Sequence, residues 1–157
     1  MIETDLRLDI PPATRAPVLS EASRWCESVL ERRPTRLCLF DYGAATTAAL
    51  AERGGWLRTY RRHERGDDPL VDPGRWDITT DIAVDQLPPG AGVTTQAGFL
   101  DRWGMDRLVD EGRDYWKANA AQPDLTALAM RSRISEAEAL ADSEGLGSWL
   151  VIEYRPS

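Results

Sequence analysis

Apolar and polar positions change period several times along the chain. From Ile2 to Ile10 they alternate in twos, with Ile2, Leu6, Leu8 and Ile10 sharing one face, which predicts a half-buried strand closed by Pro11-Pro12. Between Ser20 and Arg33 the spacing is helical: Ala22, Trp25, Cys26, Val29 and Leu30 form the stripe, Ser20 the N-cap and Pro34 the stop. Leu37-Cys38-Leu39-Phe40 is an unbroken apolar run ending in Asp41-Tyr42-Gly43, the pattern of a strand buried on both faces in a parallel sheet. Trp56 to Tyr60 predicts a short extended piece, followed by loop and turn chemistry from Arg61 to Pro69 and at Asp72-Pro73-Gly74. Asp77 then caps a weak helix through Leu87, Gly92 to Thr95 forms a short strand, and Phe99, Leu100 and Trp103 mark a helix stopped by Gly104. Asp106 caps a helix carrying Leu108, Val109, Tyr115 and Trp116, and Pro123 opens another with Leu125 and Leu128. Ser135 and Glu138 have the spacing of a capping box for a last short helix, and Trp149 to Tyr154 reads as a closing buried strand. Strands interleaved with helices predict an α/β fold with a largely parallel sheet.

Composition narrows the function more than the fold. A length of 157 residues corresponds to a single domain over 1–157. The net charge of −7 gives no global attraction for phosphate, and no strand interleaves aromatic with basic residues as a base-stacking platform would, so no nucleic-acid partner is expected. Cys26 and Cys38 make neither a disulfide framework nor a metal site, which fits a reducing cytosol. With no long apolar run and no leader pattern at Met1-Ile2-Glu3, the chain reads as a soluble cytoplasmic protein without a membrane partner.

Glycine-rich phosphate loops follow a strand, whereas Gly90-Ala91-Gly92 and Gly145-Leu146-Gly147 both precede one, so no cofactor-binding residue is assigned and no metal ligand either. In open α/β sheets ligands bind beyond the carboxyl ends of strands, where Asp41 and Tyr42 fall; both are candidate catalytic residues, their plainer role being a strand end with a capped turn. His63 is the single histidine. Arg58, Arg61, Arg62 and Arg65 around it favour its neutral form, which suits a proton acceptor, although a loop histidine can equally be just exposed. Arg61 and Arg62 are candidate substrate contacts for an anion or a peptide, and Asp77 is either a helix cap or a further substrate contact. For the six tryptophans, core packing is the default.

The ordered series Leu37-Cys38-Leu39-Phe40-Asp41-Tyr42-Gly43, Trp56 to His63, Asp68-Pro69-Leu70, Asp72-Pro73-Gly74 and Asp77-Ile78-Thr79 resembles the second half of the MidA-type SAM-dependent methyltransferases. These are relatives of the mitochondrial complex I assembly factor that methylates a protein arginine. Thr94 to Leu100 and Ser132 to Leu140, running into Gly145-Leu146-Gly147, are similar to the actinobacterial branch. The resemblance implies the C-terminal portion of a class I, Rossmann-like sheet, mostly parallel, with Asp41 and Tyr42 near the acceptor and the stretch from Arg58 to Asp77 over the site. It implies S-adenosyl-L-methionine as cofactor, yet the family's glycine-rich loop and its ribose-gripping acid belong to the first half, so this chain alone is not expected to bind it. The strand at 36–41 would then have an open flank, to be covered by a second chain carrying the glycine-rich half or by a homodimer through the edge strand. A protein substrate is compatible with this reading. The alternative is a non-catalytic binding or assembly module that uses the basic loop 58–65 and the exposed edge.

Overall fold

A computed structural model describes residues 10–12, 14–66, 68–72 and 74–155, so the strand expected at Ile2–Ile10 lies, but for its last residue, outside the described residues. The described chain falls into two units, one of residues up to 37, 41–91 and 154–155, the other of 38–40 and 92–153.

In the first unit, helix α1 (Ser20–Leu30) forms where the helical period predicts it, but Ser20 does not cap it. Leu19 holds the N-cap position, and its N–H donates to the Gln86 side chain at 2.8 Å. Strand β1 (Leu37–Asp41), whose residues 38–40 belong to the second unit, leads through Tyr42 into β2 (Gly43–Ala44) and then helix α2 (Thr47–Arg53), capped by the Thr46 hydroxyl accepting from the Ala49 N–H. Strand β3 (Leu57–Arg61) continues into β4 (Glu64–Gly66), an antiparallel hairpin in a stretch whose composition reads as loop. The turn has two residues, Arg62 at φ 51° and His63 at φ 70°. Two left-handed residues make a type I′ turn, which matches strand twist but favours Asn-Gly, so the usual hairpin signal is missing from the sequence. Gly66 lies where a Cβ would meet the Thr59 hydroxyl at 2.6 Å and the Trp76 ring at 2.8 Å.

Asp77 caps no helix. It opens β5 (Asp77–Thr80), which pairs antiparallel with the other side of β3, Tyr60 opposite Asp77 and Leu57 opposite Thr80. The chain then forms β6 (Ile82–Ala83), parallel to β2 with Gly43 opposite Ile82, and a 3-10 turn at Val84–Gln86. Gly43 is required there, because a Cβ would collide with the Ile82 carbonyl.

The second unit joins β7 (Gly92–Thr95) antiparallel to β8 (Leu150–Tyr154), Val93 opposite Ile152, with three helices between them in sequence. These are α3 (Gln96–Arg102), α4 (Met105–Asn119) and α5 (Leu125–Ala141), followed by a 3-10 turn at Leu146–Ser148. Helix α5 runs unbroken through Ser135, whose hydroxyl donates to the Ser132 carbonyl, so the apparent capping box is an interior turn. Gly112 lets α4 approach α5 closely, since a Cβ would stand 2.8 Å from the Met130 carbonyl oxygen. Val109, Ala127, Ala137, Val151 and Ile152 are buried.

The fold is α/β, but the expected mostly parallel sheet is not what these strands form: β3–β4, β3–β5 and β7–β8 are antiparallel, and β2–β6 is parallel. A two-residue turn at 62–63 cannot carry the long crossover that a parallel pair needs. Among the described residues strand β1 is at an edge of the sheet ordered β1-β8-β7, and Phe40 is 44% exposed rather than buried on both faces. Trp25 and Trp103 are likewise more than half exposed, against the core role expected of them. Among the described residues no helix is long and apolar enough to cross a membrane. Nor does any group of three or more His, Cys, Asp and Glu there suit a metal ion.

Candidate functional site

The first unit holds one buried carboxylate between two guanidinium groups. Asp81 is 3% exposed and follows directly on β5; its N–H donates to the Trp56 carbonyl at 2.8 Å, while the next N–H, of Ile82, donates to the Tyr42 carbonyl at 3.0 Å. Those two bonds fix the Asp81 backbone between the β3 sheet and the residue after β1. Its carboxylate is met by Arg58 Nη2 at 2.5 Å on Oδ1 and by Arg53 Nη2 on Oδ2. Arg58 also lies over the Tyr42 ring, 4.3 Å from its centroid. Burial works against the Arg58 charge, but the hydrogen bonds to Asp81 and Tyr42 outweigh it and raise its pKa, so the guanidinium is permanently charged.

Asp41 stands at the carboxyl end of β1, half-buried beside this cluster, and accepts the Tyr42 N–H at 2.8 Å. Burial pushes its carboxyl pKa up; the Tyr42 N–H opposes this, Asp81 adds repulsion and Arg58 offsets part of it. Among the described residues Asp41 makes no salt bridge. Asp41, Tyr42, Arg58 and Asp81 thus form a neighbourhood in which one carboxylate is neutralised by two arginines and the other is left short of positive charge.

The remaining sequence candidates are elsewhere on the hairpin. Along β3, Arg61 is three residues beyond Arg58, about 10 Å of strand, and on the opposite face by the alternation of side chains. Arg62 and His63 are the exposed turn. Asp77, opposite Tyr60, is exposed and nearer the tip than Arg58. The structure therefore brings Asp41 and Tyr42 together and leaves Arg61, Arg62 and His63 apart from them. Arg53 and Asp81 are the members that sequence reasoning missed. The one available signal was a lone carboxylate at the junction of two β-type stretches, Asp77 to Thr80 and Ile82-Ala83.

Comparison with known proteins decides the family. Residues 3–98 match the model of a family described as "putative S-adenosyl-L-methionine-dependent methyltransferase". The chain belongs to this family. Two solved structures from Burkholderia thailandensis, both members of one superfamily, share the fold. One, an uncharacterised protein, is 23% identical over 76% of this chain and 32% of its own, with a TM-score of 0.56. The other, bound to S-adenosyl-homocysteine, is 24% identical over 76% of this chain and 31% of its own, with a TM-score of 0.54. The chain spans about a third of the length of these structures. No curated protein matches it.

The family's cofactor finds no cradle among the described residues. Gly43, the first residue of β2, is used up in contact with the Ile82 carbonyl. Gly90 and Gly92 lead into β7, and Gly147 packs on the Ala141 carbonyl at the end of α5. None of these places a row of backbone N–H groups after a strand at the start of a helix, as adenosine or methionine binding by such a loop requires. The residues present do not fit S-adenosyl-L-methionine by themselves.

Proposed function

We propose that this chain is the acceptor-side portion of a MidA-type SAM-dependent methyltransferase, of the actinobacterial branch, acting in the cytoplasm on a nitrogen such as that of a protein arginine. Family membership and the ordered motifs from Leu37 to Thr79 support the assignment. In this reading the flank of β1 that no described strand covers continues into a larger Rossmann-like sheet, whose other strands and glycine-rich loop come from a second chain. The cofactor belongs to that part. Here the residues bind and orient the acceptor.

The observation that carries the reading is Asp41: a half-buried carboxylate at the carboxyl end of β1, with a raised pKa and no salt bridge among the described residues. A guanidinium set against it would supply the missing positive charge through paired hydrogen bonds and hold one nitrogen in a fixed direction. Tyr42, held under Arg58, forms the adjoining wall. Asp81 is spoken for by Arg53 and Arg58 and does not compete for the acceptor.

Calorimetric titration of the 157-residue chain tests this. No heat is expected with SAM or S-adenosylhomocysteine at millimolar concentration. An arginine-containing peptide is expected to bind weakly and to lose that binding in Asp41→Asn. Micromolar SAM binding by the chain alone, or peptide binding unchanged in Asp41→Asn, would overturn the reading.

A further inference from the structure

The tip of the β3–β4 hairpin carries features that the acceptor site does not use. Arg62 and His63 both adopt left-handed backbone angles, φ 51° and 70°, and both are exposed. Non-glycine residues there cost the fold stability that an Asn-Gly turn would return, so retaining two large side chains is a cost at the most accessible point of the hairpin. Among the described residues Arg61, Arg62 and Arg65 make no ion pair, whereas Arg58, at the base of the same strand, is bound to Asp81. Trp76, half-buried against Gly66, joins Arg61, Arg62 and Glu64 around an open depression of about 380 Å³. Among the described residues strand β4 is at an edge of the sheet ordered β4-β3-β5, and its outer backbone groups face no other strand there.

From these we infer that the hairpin tip is a docking surface for an extended acidic segment of a partner protein. Such a segment can add beside β4 through backbone hydrogen bonds and set carboxylates alternately on the two faces. One face presents Arg61 and the Trp76 depression; the other presents Arg65, which lies opposite Tyr60. Charge points to a peptide rather than a nucleic acid. The arginines are local in a chain of net charge −7, and Glu64 and Asp77 stand among them, so a continuous row of phosphates would meet carboxylates as well. Spaced carboxylates can pair with separate arginines and avoid them. The inference does not depend on methyl transfer.

Fluorescence anisotropy with the full chain tests it, using a labelled ten-residue peptide in which pairs of adjacent glutamates alternate with pairs of valines, so that carboxylates fall on both faces of an extended strand, its glutamine counterpart and a ten-nucleotide single-stranded DNA. The acidic peptide is expected to bind, less tightly as salt rises, and the glutamine peptide not to. Replacing Arg61, Arg62 and Arg65 together by Ala should weaken binding about tenfold or more. The informative variant is Arg62→Asn with His63→Gly: it should raise Tm by roughly 2–4 °C while weakening the peptide, since it relieves the turn and removes its charge. Equal binding of the two peptides, tighter binding of the DNA, or affinity for the acidic peptide unchanged by either variant would overturn the proposal.

Discussion

Two polar networks in the first unit both join stretches distant along the chain and have opposite character. Around Gln86, which is 7% exposed, the groups are held by hydrogen bonds: its amide donates to the Pro17 carbonyl at 2.9 Å and the Thr47 hydroxyl at 2.8 Å, and its oxygen accepts from Leu19. Thr47 in turn donates its N–H and hydroxyl to Asp85, seating the start of α2 on the 3-10 turn. Around Asp81 the groups are charged, and their needs are met unevenly: Asp81 has two arginines while Asp41, beside it, has none within salt-bridge distance among the described residues. A network whose groups are satisfied by hydrogen bonds within the chain fixes geometry and leaves nothing over. A charged one with a surplus carboxylate leaves a place for a cation, so the second is the better candidate site and the first its scaffold.

The contrast breaks most visibly at Gln86. Gln86→Ala strips partners from Leu19, Pro17 and Thr47 at once, and a cost of about 3–4 kcal/mol is expected in urea unfolding, with no change in peptide binding. Asp81→Asn should cost somewhat less, about 2–3 kcal/mol, because Arg53 is half exposed and returns to water while Arg58, with a side chain 17% exposed, does not. It should also release the Tyr42 ring from Arg58, visible as a change in the aromatic proton shifts of Tyr42 that Gln86→Ala does not produce. A stability loss at Asp81 without that signature would place Asp81 in the same class as Gln86.

The sequence carries these networks unequally. The local apolar pattern locates α1, β1, β7 and α3. It fails where a contact distant in sequence sets the structure. Ser20 looks like a cap, yet the group that binds the start of α1 is Gln86, 67 positions from Leu19. The basic stretch after Tyr60 lacks any turn signature because Arg62-His63 occupies a turn type that glycine and asparagine usually mark. Asp77 resembles a cap and Ser135 a capping box, since the same short polar side chains serve turns, strands and helix interiors alike. Asp41 and Tyr42 were legible from the abrupt end of an apolar run; Asp81 was not, because Arg53 and Arg58 reach it only once β5 has paired with β3. The parallel sheet was read from the alternation of strands and helices, and that alternation is silent about which strands become neighbours.

The smallest effect and the sharpest test belong to Asp41. Its carboxyl pKa lies above the ordinary 3.8, raised first by burial and then by Asp81. From 3.8 up to the folded value the folded chain therefore holds more of this proton than the unfolded chain does. Stability from this group falls as pH rises through that window and is constant above it. Asp41→Asn keeps an oxygen to accept the Tyr42 N–H and removes the charge, so it should match the wild type at pH 3 and exceed it at pH 7 by no more than about 0.5 kcal/mol. Thermal unfolding of both chains between pH 3 and pH 7 reads the difference. A variant less stable than wild type at neutral pH would mean that Asp41 already has its counter-charge from Arg58, and that the place left for a cationic acceptor is filled from within the chain.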